Sequence, residues 1–171
     1  MHSIRAATPA DIPLILDLIR ALATYERAPD AVKATAADLL RDGFGDHPCF
    51  ECLIAESAGP EVQPEPAGFA LFFYNYSTWR GRQGIHLEDL FVLPRFRGQG
   101  IGKALLARVA ARAAEQGCVR LQWDVLDWNQ TAIDFYRGLG AQFLDEWRIM
   151  RVNDQGIHAM AGLASVPEPA Q

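Results

Sequence analysis

Between Ile85 and Leu106 the chain passes from an apolar run, Ile85-His86-Leu87-Glu88-Asp89-Leu90-Phe91-Val92, through Leu93-Pro94-Arg95-Phe96 to Arg97-Gly98-Gln99-Gly100-Ile101-Gly102-Lys103 and a helical pattern. A strand feeding a glycine-rich turn at a helix start makes an anion site. Glycines at every second position let the backbone approach a ligand, and the N–H groups of the first helical turn then point at its phosphate oxygens. The ligand expected there carries a pyrophosphate. Two better-known phosphate loops match poorly. A Walker A loop needs G-x-x-x-x-G-K-[ST]; Gly102-Lys103 supplies the G-K, but Arg97 holds the place of the first glycine and Ala104 that of the hydroxyl, a magnesium ligand. A dinucleotide fingerprint needs G-x-G-x-x-G. Gly98-x-Gly100-x-Gly102 has the wrong spacing, although Asp124 stands about where a ribose-binding acid would.

Two side chains are candidates for proton transfer. Glu88 is an acid within an apolar strand, a costly position unless the carboxylate has a partner or a task. Strand alternation would turn its neighbour Asp89 to the opposite face. On pattern alone, pairing with arginines accounts for both acids before chemistry does. Tyr136 shares a helical stretch with Ile133, Phe135 and Leu139, and that spacing alone reads first as a packed face. Arg97, beside the glycines, reads as a phosphate contact. Lys103 is either a second phosphate contact or a surface charge.

The elements that must hold these residues fit one domain: 171 residues, half of them hydrophobic, are enough for a sizeable core. A net charge of -5 argues against nucleic acid, whose binding rests on Lys and Arg, and suits cationic small molecules. Cys49, Cys52 and Cys118 form an odd set without a secretory leader, so reduced thiols and a cytoplasmic location are expected. A redox role for Cys49-x-x-Cys52 is disfavoured because the pair stands where a strand begins rather than at a helix start. No apolar run reaches about 18 residues, so no membrane span is expected. His2, His47, His86 and His158 lack metal-ligand spacing, and neither a metal nor a covalent nucleophile is expected.

Ile4-Arg5 reads as a first strand. Thr8-Pro9-Ala10-Asp11 supplies a cap, an N1 proline and a capping-box acid for a helix over about Ala10 to Thr24. Thr35 and Asp38 cap a second, shorter helix. Phe50 to Ala55 and Ala67 to Tyr76 read as strands, separated by a proline-rich loop from Ser57 through Pro66. The strand Gly84 to Val92 is followed by a helix from about Gly100 to Gln116 that ends at Gly117. Arg120 to Leu126 is a further strand, Asn129 caps a helix closed by Gly140, and Phe143 to Val152 supplies the last strand, broken near Asp145. The order predicts an α/β (α+β) fold, a mixed sheet with helices on both faces. Residues 162–171 are expected to form a disordered tail.

Arg97-x-x-Gly100-x-Gly102 has the form R-x-x-G-x-G, and here the chain resembles the GNAT superfamily of acetyl-CoA-dependent N-acetyltransferases. Along most of its length it is similar to the spermidine/spermine (diamine) acetyltransferase branch. The stretches that carry this are Tyr25-Glu26, Asp38-Leu39-Leu40, Asp42-Gly43-Phe44-Gly45, His47-Pro48, Leu87-Glu88-Asp89, Phe96-Arg97-Gly98, Trp128-Asn129, Phe135-Tyr136 and Gly140-Ala141. The resemblance implies the GNAT fold over residues 1–161, a mostly antiparallel sheet splayed at the acetyl-CoA site. It implies acetyl-CoA as cosubstrate, contacted by Leu90, Phe91, Val92, Arg97, Gly98, Gln99, Gly100, Ile101, Gly102, Lys103, Asn129, Thr131 and Ala132. It also implies a homodimer, to which Phe143, Trp147, Ile149 and Met150 can contribute.

The reaction so implied poses a protonation problem, because an alkylamine has a pKa of about 10.4 and is a nucleophile only when neutral; deprotonation at pH 7 costs roughly 4 kcal/mol. A carboxylate can hold the cation and relay its proton through water, and a phenol can protonate the departing thiolate. The resemblance assigns these roles to Glu88 and Tyr136, and amine recognition to Tyr25, Glu26, Glu88, Gln122, Trp123, Asp124 and Glu146. Asp89 is expected to be structural. The chain departs from the polyamine enzymes at Tyr76-Ser77-Thr78-Trp79, where they carry Tyr-Asp-Pro-Trp, and at Arg27-Ala28-Pro29-Asp30, where their acidic segment is diluted. A polyamine or diamine is the first substrate expectation and a lysine-like amino acid such as thialysine the second, with a non-catalytic acyl-CoA-binding module as the alternative class.

Overall fold

Thr8-Pro9-Ala10-Asp11 starts a helix as its residue types predict. The Asp11 carboxylate accepts hydrogen bonds from the Thr8 backbone N–H and hydroxyl, both 2.8 Å, and the chain turns through Pro9–Asp11 into α1, Ile12–Tyr25. Arg5 fixes this start to the first strand, β1 (His2–Ala6), by donating to both Asp11 oxygens at 2.7 and 2.8 Å and to Glu56 at 2.9 Å. The second capping box also forms: Thr35 and Asp38 bond reciprocally at the start of α2, Ala36–Phe44. These facts come from a computed structural model that describes residues 2–59 and 62–164. The chain divides into a first unit, Met1–Asp124, and a second, Val125–Gln171.

In the first unit β1, β2 (Glu51–Gly59), β3 (Val62–Ser77) and β4 (Arg82–Val92) pair antiparallel in sequence order, and β5 (Leu121–Gln122) joins β4 in parallel. One face carries Cys52, Ile54, Phe69, Leu71 and Phe91 against Ile12, Ile15, Leu16 and Leu18 of α1 and Leu39 of α2. Ile15, Ile54 and Phe69 are fully buried, each stabilising the fold by about 1.5–3 kcal/mol. The opposite face receives α3, Ile101–Glu115. Glu51 pairs across the ladder with Phe72, out of phase with the Cys52–Leu71 pair on the α1 face. Arg112 of α3 donates twice to Glu51, at 3.1 Å each, and Tyr74 donates to Glu51 at 2.9 Å. The expected mixed sheet with helices on both faces is therefore present.

Several boundaries differ from expectation. Pro64 and Pro66 lie within β3, not in a loop, and Glu56 and Ser57 pair with Pro66 and Glu65. On the N-terminal side of Gly68, β4 has ended and β3 is paired by β2 alone among the described residues, so alternate N–H groups there face an unpaired edge and a proline costs no ladder bond. The strand expected over Arg120 to Leu126 shrinks to the two residues of β5. In the second unit Asn129 caps α4, Gln130–Gly138, its side chain accepting from the Ala132 N–H at 3.3 Å. Phe143 to Val152 forms no strand, and Phe143, Trp147, Ile149 and Met150 are exposed. A strand needs a ladder partner, and none reaches this segment among the described residues. An unexpected helix, α5 (Asp154–Ala161), follows, capped by Asn153. Of the expected tail, Gly162–Ala164 form a short turn, and residues 165–171 lie outside the described residues.

Candidate active site

The glycine loop has the geometry its sequence requires. Pro94–Phe96 make one 3-10 turn after β4, Gly98 and Gly100 adopt φ of +76° and +80°, and α3 begins at Ile101 with Gly100 as its cap. L side chains rarely adopt that conformation. A Cβ at either glycine would meet nothing within 4 Å, so these positions select glycine by backbone conformation and leave open approach to the loop. Ile101 anchors the helix start in the core. Gln99, Lys103 and Arg97 are exposed around it. A strongly curved, glycine-lined turn at the start of a fifteen-residue helix fits a pyrophosphate.

The adjoining sheet is open. β5 pairs with β4 only at Ile85–Leu121 and His86–Gln122, so Leu87 to Val92 have no strand on that edge among the described residues. Leu90, Phe91 and Val92 pair on the other side with Ala70, Phe69 and Gly68, where a Cβ on Gly68 would overlap the Phe91 carbonyl oxygen. The register also jumps: Leu71 faces Asp89 while the next residue, Phe72, faces Leu87. Glu88 is the extra residue of a β-bulge, a device that bends a strand and re-aims a side chain.

This bulge corrects two expectations about the acids. Glu88 is not buried in an apolar strand; its side chain is 57% exposed, with Oε2 3.6 Å from His86 Nε2. Nor does alternation separate Glu88 from Asp89, because the period of two is interrupted between them. Asp89, across from Leu71, lies on the α1 face and is the desolvated acid. Burial first, then the charges of Glu88 and Glu26, push its carboxyl up to about 7. Glu26, just past α1, is exposed by area, yet the apolar surroundings raise its carboxyl too. Glu26 is thus close enough for its charge to act on Asp89, and the Tyr25 ring lies 6.3 Å from that of Phe91. No arginine forms a salt bridge with Glu88 or Asp89 among the described residues.

Arg97 is tied down as well as exposed. Its Nε donates to the Val92 carbonyl at 3.0 Å, and its guanidinium lies 4.4 Å from the Tyr25 ring centroid and 5.5 Å from that of Phe91. The end of α1, the end of β4 and the glycine loop are held together by this contact. Gln122 and Trp123 are half-buried and Asp124 exposed at the end of the same unit. The Cys52 thiol is pushed up to about 12 by burial and by the charges of Asp89 and Asp11. That is the reverse of a reactive thiol.

In the second unit Tyr136 is half-buried beside Phe135, ring centroids 5.2 Å apart. Of the face expected to pack, Ile133 is buried, Phe135 and Tyr136 are half-buried and Leu139 is exposed. Thr131 is exposed and Ala132 half-buried in the first turn of α4; Glu146 is exposed in a turn. From the sequence His86 is not a site candidate and Asp89 is expected to be structural. His86 stands two residues before Glu88 in a strand, a same-face spacing that flags it; Asp89 is marked only by burial.

The model of the acetyltransferase (GNAT) family matches residues 15–141. The chain is 46% identical over 165 residues to a thialysine N-epsilon-acetyltransferase of Bos taurus, covering 93% of this chain and 96% of the bovine one. It is 40% identical over 164 residues to the spermidine/spermine N(1)-acetyltransferase-like protein 1 of Homo sapiens, covering 92% of this chain and 23% of that protein. Among solved structures, an integron cassette protein from the mobile metagenome of V. cholerae aligns with a TM-score of 0.75 at 24% identity, covering 94% of this chain and 97% of the other.

Proposed function

The chain belongs to the acetyltransferase (GNAT) family and is an acetyl-CoA-dependent N-acetyltransferase; from that premise we propose that it acetylates a terminal primary amine of a small cationic substrate. The supporting observation is the Glu88 bulge, which sets an accessible carboxylate and the desolvated Asp89 beside the splayed edge of β4. Acetyl-CoA supplies the acyl thioester. The loop from Arg97 to Lys103 holds the pyrophosphate, backbone N–H groups first, since the Arg97 Nε is committed to Val92. The open edge at Leu90, Phe91 and Val92 receives the pantetheine arm and polarises the thioester carbonyl, and Asn129, Thr131 and Ala132 border the same cosubstrate.

Glu88 accepts the ammonium proton through water, and the neutral amine nitrogen attacks the carbonyl carbon. As the C–N bond forms the C–S bond breaks, the Tyr136 phenol donates its proton to the thiolate sulfur, and the second proton of the amine nitrogen, released as the amide forms, passes through solvent to restore the phenol. Tyr25, Glu26, Gln122, Trp123, Asp124 and Glu146 contact the amine substrate. Residues 1–161 act as one catalytic domain.

The substrate is a polyamine, a diamine or a lysine-like amino acid. Ser77 and Thr78 stand where the polyamine branch carries an aspartate and a proline, and fewer anions select less strongly for a long polycation. With the identity to the bovine thialysine enzyme, this favours the lysine-like reading. Free thiol release from acetyl-CoA, measured with spermidine, spermine, putrescine, lysine, thialysine and a lysine peptide, tests the proposal. Release with thialysine or lysine alone selects the amino-acid reading, and release with spermidine the polyamine reading. Release with none, while acetyl-CoA binds, overturns both substrate readings and points to an amine outside this panel or to a binding module.

The exposed Phe143, Trp147, Ile149 and Met150 support a homodimer, in which a second copy covers this apolar run. The free thiols of Cys49, Cys52 and Cys118 support a cytoplasmic location.

A further inference from the structure

The first rung of the sheet's opening is a side-chain pair. β5 leaves β4 after His86–Gln122, and at that rung the Gln122 amide nitrogen lies 3.5 Å from His86 Nδ1. The other ring nitrogen, Nε2, is 3.6 Å from Glu88 Oε2. The imidazole is only 16% exposed and stacks on Phe73, its cross-strand partner, at 5.0 Å and 26°. His86 therefore sits in a fixed plane with one nitrogen toward β5 and the other toward the bulge.

The chemistry of the partners sets the tautomer. An amide N–H only donates, so Nδ1 accepts and the neutral ring keeps its proton on Nε2, facing the carboxylate. The 3.6 Å separation is an ion-pair distance, longer than a hydrogen bond. A modest turn of the exposed Glu88 side chain closes it. Glu88 is otherwise poorly constrained: it is the unpaired residue of a bulge, largely in solvent, and among the described residues its carboxylate accepts no hydrogen bond. A base in that condition spreads over several rotamers.

We propose that His86, held by Gln122 and Phe73, is a positioning residue for the acetyl transfer, its Nε2–H fixing the Glu88 carboxylate in the orientation that takes up the amine proton. The inference rests on the acetyltransferase reading and on Glu88 as its base. His86 accepts no proton from the substrate. It restricts Glu88, as a supporting hydrogen bond restricts any catalytic side chain.

Steady-state kinetics with the amine identified by the thiol-release panel test this in His86→Phe and His86→Gln. Phenylalanine keeps the stack on Phe73 and removes both nitrogens; glutamine restores a donor at about the reach of Nε2. With His86→Phe, kcat should fall about tenfold, the effect of one lost orienting contact, while acetyl-CoA binding stays at the wild-type value. His86→Gln should recover most of that loss. In a Glu88→Gln background His86→Phe should cost nothing further. Wild-type kcat in His86→Phe, or an equal loss with and without Glu88, would overturn the role. An equal fall in acetyl-CoA affinity would mark His86 as a packing residue and overturn it too. Loss of the acetyltransferase reading is distinguished by the wild-type protein itself, which then releases no thiol with any amine.

Discussion

At the scale of single residues, the two acids on β4 differ in their surroundings. Glu88 is accessible and Asp89 is desolvated, so the two neighbours respond differently to pH and substitution. If Glu88 relays the amine proton, Glu88→Gln lowers kcat about 10²-fold, and Tyr136→Phe does likewise. Acetyl-CoA affinity, read by equilibrium titration, is retained in both. Asp89 gives a signed pH effect. Its carboxyl titrates near 7 in the folded chain against an ordinary value of 3.8, so between those limits the native state binds the proton more tightly and stability falls as pH rises. The cost is absent below about pH 4 and complete above about 7. Thermal unfolding at pH 5 and pH 8 should show a larger loss for the wild type than for Asp89→Asn. If the cationic amine binds beside Asp89, the newly charged carboxylate draws it in over the same interval, and KM for the amine should fall with pH in the wild type and flatten in Asp89→Asn.

The elements around these residues are set by a few local devices. Gly100 caps α3 at a φ of +80° with open space where a Cβ would go. Gly100→Ala therefore costs about 1 kcal/mol of backbone strain without a clash. It should turn the first helical N–H groups away from the phosphate and weaken acetyl-CoA binding about tenfold, a change visible by isothermal titration. Asp11 joins a capping box to a bidentate arginine pair. Asp11→Ala should destabilise the protein by about 2 kcal/mol at pH 7, measured by urea denaturation. Arg5 holds the Asp11 carboxyl well below the usual carboxylate range, so its contribution is full at neutral pH. The difference between wild type and variant should shrink as acid protonates the carboxylate.

At the scale of the whole molecule, an apolar run that the single chain leaves exposed, Phe143 through Met150, predicts assembly. Light scattering should find a dimer in the wild type, and Trp147→Glu with Ile149→Glu should shift it to monomer. The same run shows where sequence and tertiary structure part. Caps, glycines and helical periods are local chemistry: Thr8 with Asp11, Thr35 with Asp38, the positive-φ Gly98 and Gly100, and Asn129 each act through neighbours within a few residues. Those features, the mixed sheet with helices on both faces and the glycine turn before α3 were determined by the sequence alone. Ladder pairing depends on a partner far along the chain, which is why Phe143 to Val152 read as a strand and is not one, and why Pro64 and Pro66 read as a loop inside β3. The bulge at Glu88 is likewise a mismatch between two strands. It decided which acid is exposed and which is desolvated, and it set His86 beside Glu88 through a rung formed with β5. A period-two pattern cannot reveal such a shift, because register is a relation between segments and burial is a sum over everything that packs around a side chain.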